Sequence, residues 1–333
     1  MTKIQPNMTG KTLFLFLTLV LISFNPLCNA KNKIKPSVAF SFDDGNSEDI
    51  LDYKGLVWND MIVSQLKKHK IQSVWFVCGL NMDDEKGKLL LKRWDESGNI
   101  IANHSYNHDS YGDSSMTFTC YVKDIQRCDS LIKEYRNYQK IFRFPYLAVG
   151  NTVEKRDSIN NYFLENEIKQ GWITIDTYDW YINSRLINQL KMNPKSDLKV
   201  YRDYYVNHTF EEAKYYNELS FLINHRQINH TLLLHFNLTT ALFLGDLIKK
   251  FKSEGWKIIN YSTAINDSIY NTSYKLLAFG QNLILAMANR NGTNSNELRF
   301  IAENVGTEKS KIDRLGSLNQ TFQNSNGKNH LRK

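Results

Sequence analysis

The sequence VAFSFDDG, residues 38–45, decides how the rest of the chain is interpreted. Its apolar first half predicts a buried β-strand that delivers Asp43 and Asp44 to the rim of a sheet, where Gly45 permits a sharp turn. Two adjacent carboxylates at such a rim repel each other, so they need a cation, a base between them or full solvation. The same string also fits an ordinary turn, and this stretch alone leaves both interpretations open.

A pair of histidines supplies candidate partners for these carboxylates. His104 and His108 stand four residues apart in NHSYNH, residues 103–108, and on a helical turn this spacing places both imidazoles on one face. Taken alone, such a pair is an ordinary surface feature. Together with Asp44 it forms a candidate set of two imidazoles and one carboxylate, which suits zinc or a similar divalent metal with one position left for water or substrate.

Strand-like and helix-like segments alternate along the chain. Strands are predicted at 38–42, 73–79, 140–146, 171–177, 231–236 and 256–261, with a short one running into the histidine pair; helices are predicted at 56–70, 86–96, 119–135, 162–170 and 241–255. This alternation favours parallel strands in an α/β barrel or a doubly wound sheet. The charged motifs follow strand ends, which in an α/β barrel is where catalytic groups collect.

Four regions of the chain are expected to differ in organisation. Residues 1–30 have the layout of a secretory signal peptide, with two lysines, a short apolar run and a small-residue exit, and cleavage after Ala30 is preferred over lipidation of Cys28 or a retained anchor. Residues 31–264 form the main domain, with a helical insertion at about 181–229 that either shapes substrate access or serves as scaffold. Residues 265–333 form an extension with a helix at 274–290 and a disordered polar tail.

Composition favours a secreted α/β enzyme over a nucleic-acid-binding protein. The 333 residues include 42 Lys and Arg against 34 Asp and Glu, a formal charge of +8, and removing the two lysines of residues 1–30 leaves +6. The excess is dispersed, so no nucleic-acid partner is expected, and no stretch after residue 30 is long and apolar enough for a transmembrane helix. Three cysteines remain after the signal segment, and pairing of Cys120 with Cys128 is left open. Asn-x-Ser/Thr strings at Asn207 and Asn237 are interpreted as chance.

Three further strings complete a set of five in order along the chain. They are RFPY at 143–146, DTYDW at 176–180 and LLLH at 232–235. Together with FDDG and NHSYNH, they resemble the five motifs of the polysaccharide deacetylase family, the NodB-homology domain of carbohydrate esterase family 4. The resemblance covers about Ser37 to Tyr261. It implies an α/β fold, a distorted (β/α)7 barrel with seven strands rather than eight.

The resemblance implies a division of labour between the two carboxylates. Asp43 is the expected catalytic base, and Asp44 is the expected metal ligand together with His104 and His108. Arg143 is expected to orient Asp43 and favour its ionised form. The alternative, in which both aspartates are ligands or both are turn residues, stays open. The expected cofactor is one divalent ion, most readily Zn, with Co, Ni or Mn also compatible with these ligands.

The third motif and two apolar residues are expected to bind the substrate. By resemblance, Pro145 fixes a turn and the backbone N–H of Tyr146 donates to the oxyanion. Trp180 and Leu233 match the apolar wall that receives the acetyl methyl group. Phe144 stands where the family often has proline, which is not expected to matter.

The acid partner is expected to be His235. It matches the general acid of the family, and Asp179 is expected to orient its ring and raise its pKa. Asp176 is interpreted as structural. Phe236 is a departure, because the family commonly has Asp after this histidine, and it puts the local setting of His235 in question.

The resulting hypothesis is a metal-dependent hydrolase that removes acetyl groups from an N- or O-acetylated carbohydrate outside the cytoplasm. A catalytically inactive carbohydrate-binding protein with the same fold is the main alternative. A hydrolase of small cyclic amides is a third, which the signal segment disfavours. The sequence does not separate peptidoglycan, chitin oligomers, surface polysaccharide and acetylated xylan as substrates, and it leaves the oligomeric state open.

Overall fold

The structure, a computed structural model, describes residues 34–275, 277, 280–291 and 298. Seven parallel strands form its sheet: β1 Ser37–Asp44, β2 Val74–Val77, β3 Ile100–Asn103, β4 Tyr138–Phe142, β5 Lys169–Gln170, β6 Asn229–His235 and β7 Lys257–Ile258. They are ordered β5-β4-β3-β2-β1-β6, and β7 pairs with the first two residues of β1.

One irregular segment closes this sheet into a barrel. Lys169 and Gln170 pair with β4, and the chain then crosses so that the N–H groups of Thr174 and Ile175 both bond to the carbonyl oxygen of Thr231 in β6, each at 3.1 Å. The two outer strands of the sheet are therefore joined by residues of a single segment. The prediction of a distorted seven-stranded α/β barrel is confirmed.

Helices surround the barrel. They are α1 Gly55–His69, α2 Glu85–Glu96, α3 Phe118–Ile132, α4 Val153–Glu165, α5 Asp179–Met192, α6 Lys199–Asn224, α7 Leu238–Ser253, α8 Tyr261–Ala264 and α9 Leu283–Arg290. Several begin at side-chain caps, as where Asp84 accepts the N–H of Gly87 to start α2. Within the described part of the chain, none of these helices has the length and apolar character needed to cross a bilayer.

Alternation along the strands builds two cores. Phe40 and Phe42 of β1 face the helices and join a large aromatic core with Trp58, Trp75 and Trp94. The intervening residues face the barrel interior, where small side chains such as Ala39 and Ala102 leave room for Phe76 and for Tyr261 of α8. Towards the carboxyl ends of the strands the inward-facing residues become polar, as at Asp43 in β1.

Several predicted elements differ from the structure. The strand predicted at 140–146 ends at Phe142, before a 3₁₀ turn at Pro145–Leu147. The helix predicted at 162–170 lies earlier, at Val153–Glu165, because Glu167 adopts a positive φ of 56° that ends it and the next residues pair as β5. The strand predicted at 171–177 is only a bridge at Ile175, since side chains of this segment take the hydrogen bonds that a ladder would need. The strand predicted at 256–261 is limited to Lys257–Ile258.

The insertion and the extension are helical where they are described. The insertion contains most of α5 and all of α6, and the extension contains a 3₁₀ segment, Ser268–Lys275, followed by α9 rather than the continuous helix predicted at 274–290. The predicted signal segment and polar tail lie outside the described residues. Cys78, Cys120 and Cys128 are all free thiols, and only Cys120 is exposed.

Candidate active site and metal centre

The five motif strings meet at the carboxyl end of the barrel. Asp43 and Asp44 end β1, His104 follows β3, and His235 ends β6. They border a cleft of about 560 Å³. Its wall consists of Asp43, Asp44, His104, His108, Phe144, Tyr146, Leu147, Asp176, Thr177, Tyr178, Trp180, Leu233, His235 and Gly280. Arg143 and Asp179 lie directly behind this wall, bonded to Asp43 and His235.

Three of these residues converge as a candidate metal-binding set. Asp44 Oδ1 lies 3.1 Å from His108 Nε2 and 3.5 Å from His104 Nε2, and one ligand atom from each residue lies within 4.8 Å of the others. A tetrahedral zinc ion with bonds of about 2.0–2.1 Å would separate its ligand atoms by about 3.3 Å. Asp44 Oδ1 is buried and accepts no well-aligned hydrogen bond from the described residues. The three side chains therefore fit a divalent ion.

The charge of the Asp44 side chain also fits a role as metal ligand. Burial on its own would raise the pKa of this carboxyl group, but contact with His108 and the positive charge of His235 hold the pKa well below its usual range. The side chain is therefore an anion at neutral pH, as a metal ligand must be.

His104 is oriented by the main chain. Its Nδ1 lies 2.8 Å from the carbonyl oxygen of Arg143, which can only accept, so Nδ1 carries the hydrogen and the lone pair of Nε2 faces Asp44. Burial lowers the pKa of His104 to about 4, although the neighbouring Asp43 opposes this. The ring is consequently neutral at physiological pH and available as a ligand.

The two histidines are not on a helical turn, and that part of the prediction is wrong. Residues 104–108 form a loop in which Ser105 and His108 have φ angles of 66° and 62°. Asn103 accepts the N–H of Ser105, and the hydroxyl of Ser105 accepts the N–H of His108. Side-chain bonds within the loop therefore bring the imidazoles together, where the prediction had assumed helical spacing.

Asp124 of α3 fixes the same loop from outside and was not anticipated. Its buried carboxylate accepts the backbone N–H groups of Tyr106 and Asn107 and the side-chain amide of Asn107. In the sequence, this role of Asp124 was indicated only by its position as a polar residue on the inner face of a predicted helix.

Asp43 is held by Arg143 at the bottom of the cleft. The guanidinium donates to Asp43 Oδ1 through Nη1 and to the carbonyl oxygen of Gly171 through Nε at 2.8 Å, and it lies 3.9 Å above the ring of Phe76. Both charged side chains are almost fully buried. The other carboxylate oxygen of Asp43 lies 3.6 Å from His104 Nε2, beside the metal-binding set. This oxygen is positioned to accept a proton within the cleft.

His235 and the buried Asp179 form a second pair at the same cleft. Asp179 Oδ1 lies 2.7 Å from His235 Nδ1, and its Oδ2 accepts the backbone N–H of the same residue at 2.7 Å. Burial would lower the pKa of His235, but the charge and hydrogen bond of Asp179 raise it to about 10. The ring is therefore protonated at neutral pH and can donate from Nε2.

Asn237 supports this pair and was missed as a site residue. It caps α7 by accepting the N–H of Thr240, and its amide donates to Asp179 Oδ2 at 3.0 Å. Only 8% of Asn237 is exposed, so this Asn-x-Thr string is not accessible to glycosylation in the folded chain. Asn237 could have been noticed in the sequence because an Asn directly before a helix is a common N-cap.

Phe236, the departure from the family pattern, faces away from the cleft. Its ring stacks on Trp75 with centroids 4.1 Å apart, lies edge-on to Trp94 and is tilted against Trp58. Its backbone N–H donates to the carbonyl oxygen of Asp43. The residue therefore belongs to the helix-facing core, and its side chain does not touch His235.

Of the predicted substrate residues, Trp180 and Leu233 line the cleft, whereas Pro145 does not. Leu233 is buried, Trp180 is 46% exposed, and Tyr146 is 61% exposed, with its ring 4.8 Å from that of His108. Pro145 is buried and begins a 3₁₀ turn in which Tyr146 has a φ of 56°. Tyr178, which the sequence analysis did not single out, lies beside Trp180 on the same wall.

Known proteins resemble this chain over part of its length. Residues 30–162 match the family described as Polysaccharide deacetylase. A peptidoglycan-N-acetylglucosamine deacetylase of Bacillus cereus is 26% identical over 147 residues, which is 44% of this chain and 47% of the relative. The chain thus spans about half the length of that curated relative.

Solved structures with a similar outline include two from Bacillus. Peptidoglycan deacetylase PdaC of Bacillus subtilis is 21% identical over 70% of this chain and 91% of its own, with a TM-score of 0.45. A mutant, with restored enzymatic activity, of a CE4 family pseudoenzyme from Bacillus anthracis is 16% identical over 70% of this chain and 68% of its own, with a TM-score of 0.48. The match at residues 30–162 and the curated relative both make this chain similar to the polysaccharide deacetylase family over part of its length.

Proposed function

We propose that this protein is a metal-dependent hydrolase that removes acetyl groups from an N-acetylated or O-acetylated carbohydrate. The observation that carries the proposal is that one cleft contains a metal-binding set, Asp44, His104 and His108, together with two proton-transfer groups of opposite kind. Asp43 is suited to accept a proton, and protonated His235 is suited to donate one. Deacetylation needs both.

Asp44, His104 and His108 would hold the ion, most readily zinc. When bound, a divalent ion at this position supplies Lewis-acid polarisation of the acyl oxygen and eases deprotonation of water. Asp43 accepts the proton of the attacking water, and Arg143 fixes the carboxylate for this task. The backbone N–H of Tyr146 donates to the acyl oxygen as negative charge develops there.

His235 completes the reaction. Its Nε2 proton passes to the leaving nitrogen or oxygen of the sugar as the bond to the acyl carbon breaks, which releases acetate and the free amine or hydroxyl group. Asp179 keeps the ring in position and protonated. Leu233 and Trp180 offer an apolar surface for the methyl group of the acetyl moiety.

Peptidoglycan is the proposed substrate class, with chitin-like oligomers as the next candidate. The name of the Bacillus cereus relative supports this choice. Peptidoglycan lies outside the cytoplasm, and the signal-like pattern of residues 1–30 accords with a secreted or cell-envelope location. The exposed Trp180 and Tyr146 on the cleft wall are the kind of aromatic surface against which sugar rings pack.

The test is acetate release by residues 31–333. N-acetylglucosamine oligomers, peptidoglycan and acetylated xylan are each incubated with protein plus zinc, and then with protein treated with a chelator. We expect acetate from one class of substrate, its loss on chelation and its return when the metal is added back. A chain that binds one metal ion and a glycan but releases no acetate from any substrate would replace this proposal with a catalytically inactive binding protein.

A further inference from the structure

A glycine of the C-terminal extension lines the cleft. Gly280 lies well beyond β7 in the sequence, yet it forms part of the wall that also contains Tyr146 and Trp180. Among the described residues, only the carbonyl oxygen of Tyr146 comes within 4 Å of a Cβ atom placed on Gly280, at 4.0 Å. A side chain at this position would therefore meet no other described residue close by, beside the turn that carries the Tyr146 N–H.

The extension is anchored just after this glycine. The N–H of Leu283 donates to the carbonyl oxygen of Ile173 at 2.8 Å, in the segment that closes the barrel. Asn282 caps α9 by accepting the N–H of Leu285, and the apolar face of α9 is buried and packs against α6 of the insertion. The chain that follows Gly280 is thus anchored both to the closing segment and to an insertion helix.

We propose that Gly280 is a specificity-determining residue, because the absence of a side chain leaves the space that a glycan chain needs beside Tyr146. This inference rests on the proposed deacetylase function. The acetyl group must approach both the Tyr146 N–H and the metal-binding set. In a glycan, the acetyl group is attached to a sugar ring and through it to the neighbouring sugars of the chain, which must fit into the cleft as well. A small acetyl ester has no such bulk and can reach the same groups without passing Gly280.

The variant Gly280→Asn tests this, with Gly255→Asn as its matched control. Both glycines have positive φ angles, 62° and 81°, and asparagine tolerates this conformation better than most residues. A Cβ atom on Gly255 meets no described atom within 4 Å, and this residue follows α7, away from the cleft. The two substitutions therefore impose a similar backbone cost, and only one of them narrows the cleft.

We expect Gly280→Asn to lower kcat/KM for N-acetylglucosamine oligomers at least about tenfold, since small displacements of bound substrate are costly. It should leave kcat/KM for 4-nitrophenyl acetate within about twofold of wild type. Gly255→Asn should change neither, both variants should melt at similar temperatures, and Gly280→Ala should give a smaller loss on oligomers.

Two results would overturn the inference while leaving the proposed function intact. One is an oligomer kcat/KM in Gly280→Asn that matches Gly255→Asn. The other is an equal loss on the oligomer and on the small ester, which would indicate general damage to the site. A wild-type chain that hydrolyses neither substrate would overturn the proposed function and this inference with it.

Discussion

Asp179 binds His235 at two points: one carboxylate oxygen lies 2.7 Å from the ring Nδ1, and the other accepts the backbone N–H of the same residue at 2.7 Å. A single buried anion therefore sets the position, the tautomer and the charge of the candidate general acid. The remaining hydrogen bonds to the Asp179 carboxylate come from Asn237 and from nearby threonines, and they hold it in place beside His235.

Replacing Asp179 by Asn should change the pH dependence of the reaction. Asp179 raises the pKa of His235 to about 10 from an ordinary 6.5, so the acid stays protonated, and the rate is kept, until the pH approaches 10. Without the anion, the alkaline limb of the pH–rate profile should move down toward 6.5, and kcat at pH 8 should fall up to about 30-fold.

The same pair contributes to stability with a defined sign. Because the pKa of His235 is raised in the folded state, the stabilisation is complete below pH 6.5 and is lost as the pH rises through about 10. Asp129→Asn is the control for the pH–rate profile. Asp129 lies on α3, bonds to Tyr138 and does not line the cleft, so its replacement should leave that profile unchanged. An alkaline limb at the wild-type pH in Asp179→Asn would mean that Asp179 does not tune the acid.

Metal retention and turnover should separate in two variants. His104→Ala removes a ligand from the metal-binding set, so the purified protein should hold less than about a tenth of an equivalent of metal and lose activity; the affinity loss should exceed the roughly 10–100-fold cost typical of outer-shell changes. Asp43→Asn keeps the three ligands, so it should retain the metal while kcat falls by about 10² to 10⁴-fold. Elemental analysis of dialysed protein and acetate release measure the two quantities.

His69→Ala is the matched control for the histidine variant, since His69 lies on α1 and borders neither the cleft nor the metal-binding set. It should keep both metal and activity. Loss of metal in Asp43→Asn would instead favour the alternative in which both aspartates are ligands.

Much of this site was predictable because strand ends are readable in a sequence. VAFSFDD and LLLH are apolar runs that stop at a charged residue, and in a parallel barrel such residues share one rim. The seven-stranded barrel and the family were predicted from the same strings. The residues that hold the site together, such as Asp124 and Asn237, were not, because their partners are backbone groups of distant segments.

Local chemistry explains where the predictions of structure were wrong. The spacing of His104 and His108 suggested a helical turn, but Asn103 and Ser105 capture backbone N–H groups in a loop and give the same proximity. The segment at 171–177 has the composition of a strand, yet it must leave one strand and join another to close the barrel. No periodicity in the sequence encodes that crossing.

Asn237→Ala should lower both stability and activity. Loss of the cap of α7 and of a donor to buried Asp179 should cost about 1–3 kcal/mol in the free energy of unfolding. Since Asp179 orients His235, kcat should fall as well, while KM changes little. Thr152→Ala removes the cap of α4 at a residue that neither lines the cleft nor contacts Asp179, and it should cost about 1 kcal/mol with no change in kcat. Equal kcat in the two variants would show that Asn237 is only a cap.

Phe236→Asp, which introduces the residue common in the family, should destabilise the protein without improving catalysis. The ring is 4% exposed and stacks within a cluster of three tryptophans, so burying a carboxylate there and losing the packing should cost about 3–5 kcal/mol. Phe118→Asp, at a ring that is 37% exposed, is the control and should cost less than about 1 kcal/mol. Urea denaturation measures both. A stable Phe236→Asp variant with a higher kcat would mean that residue 236 does act on His235, and that its aromatic packing is not what the chain requires there.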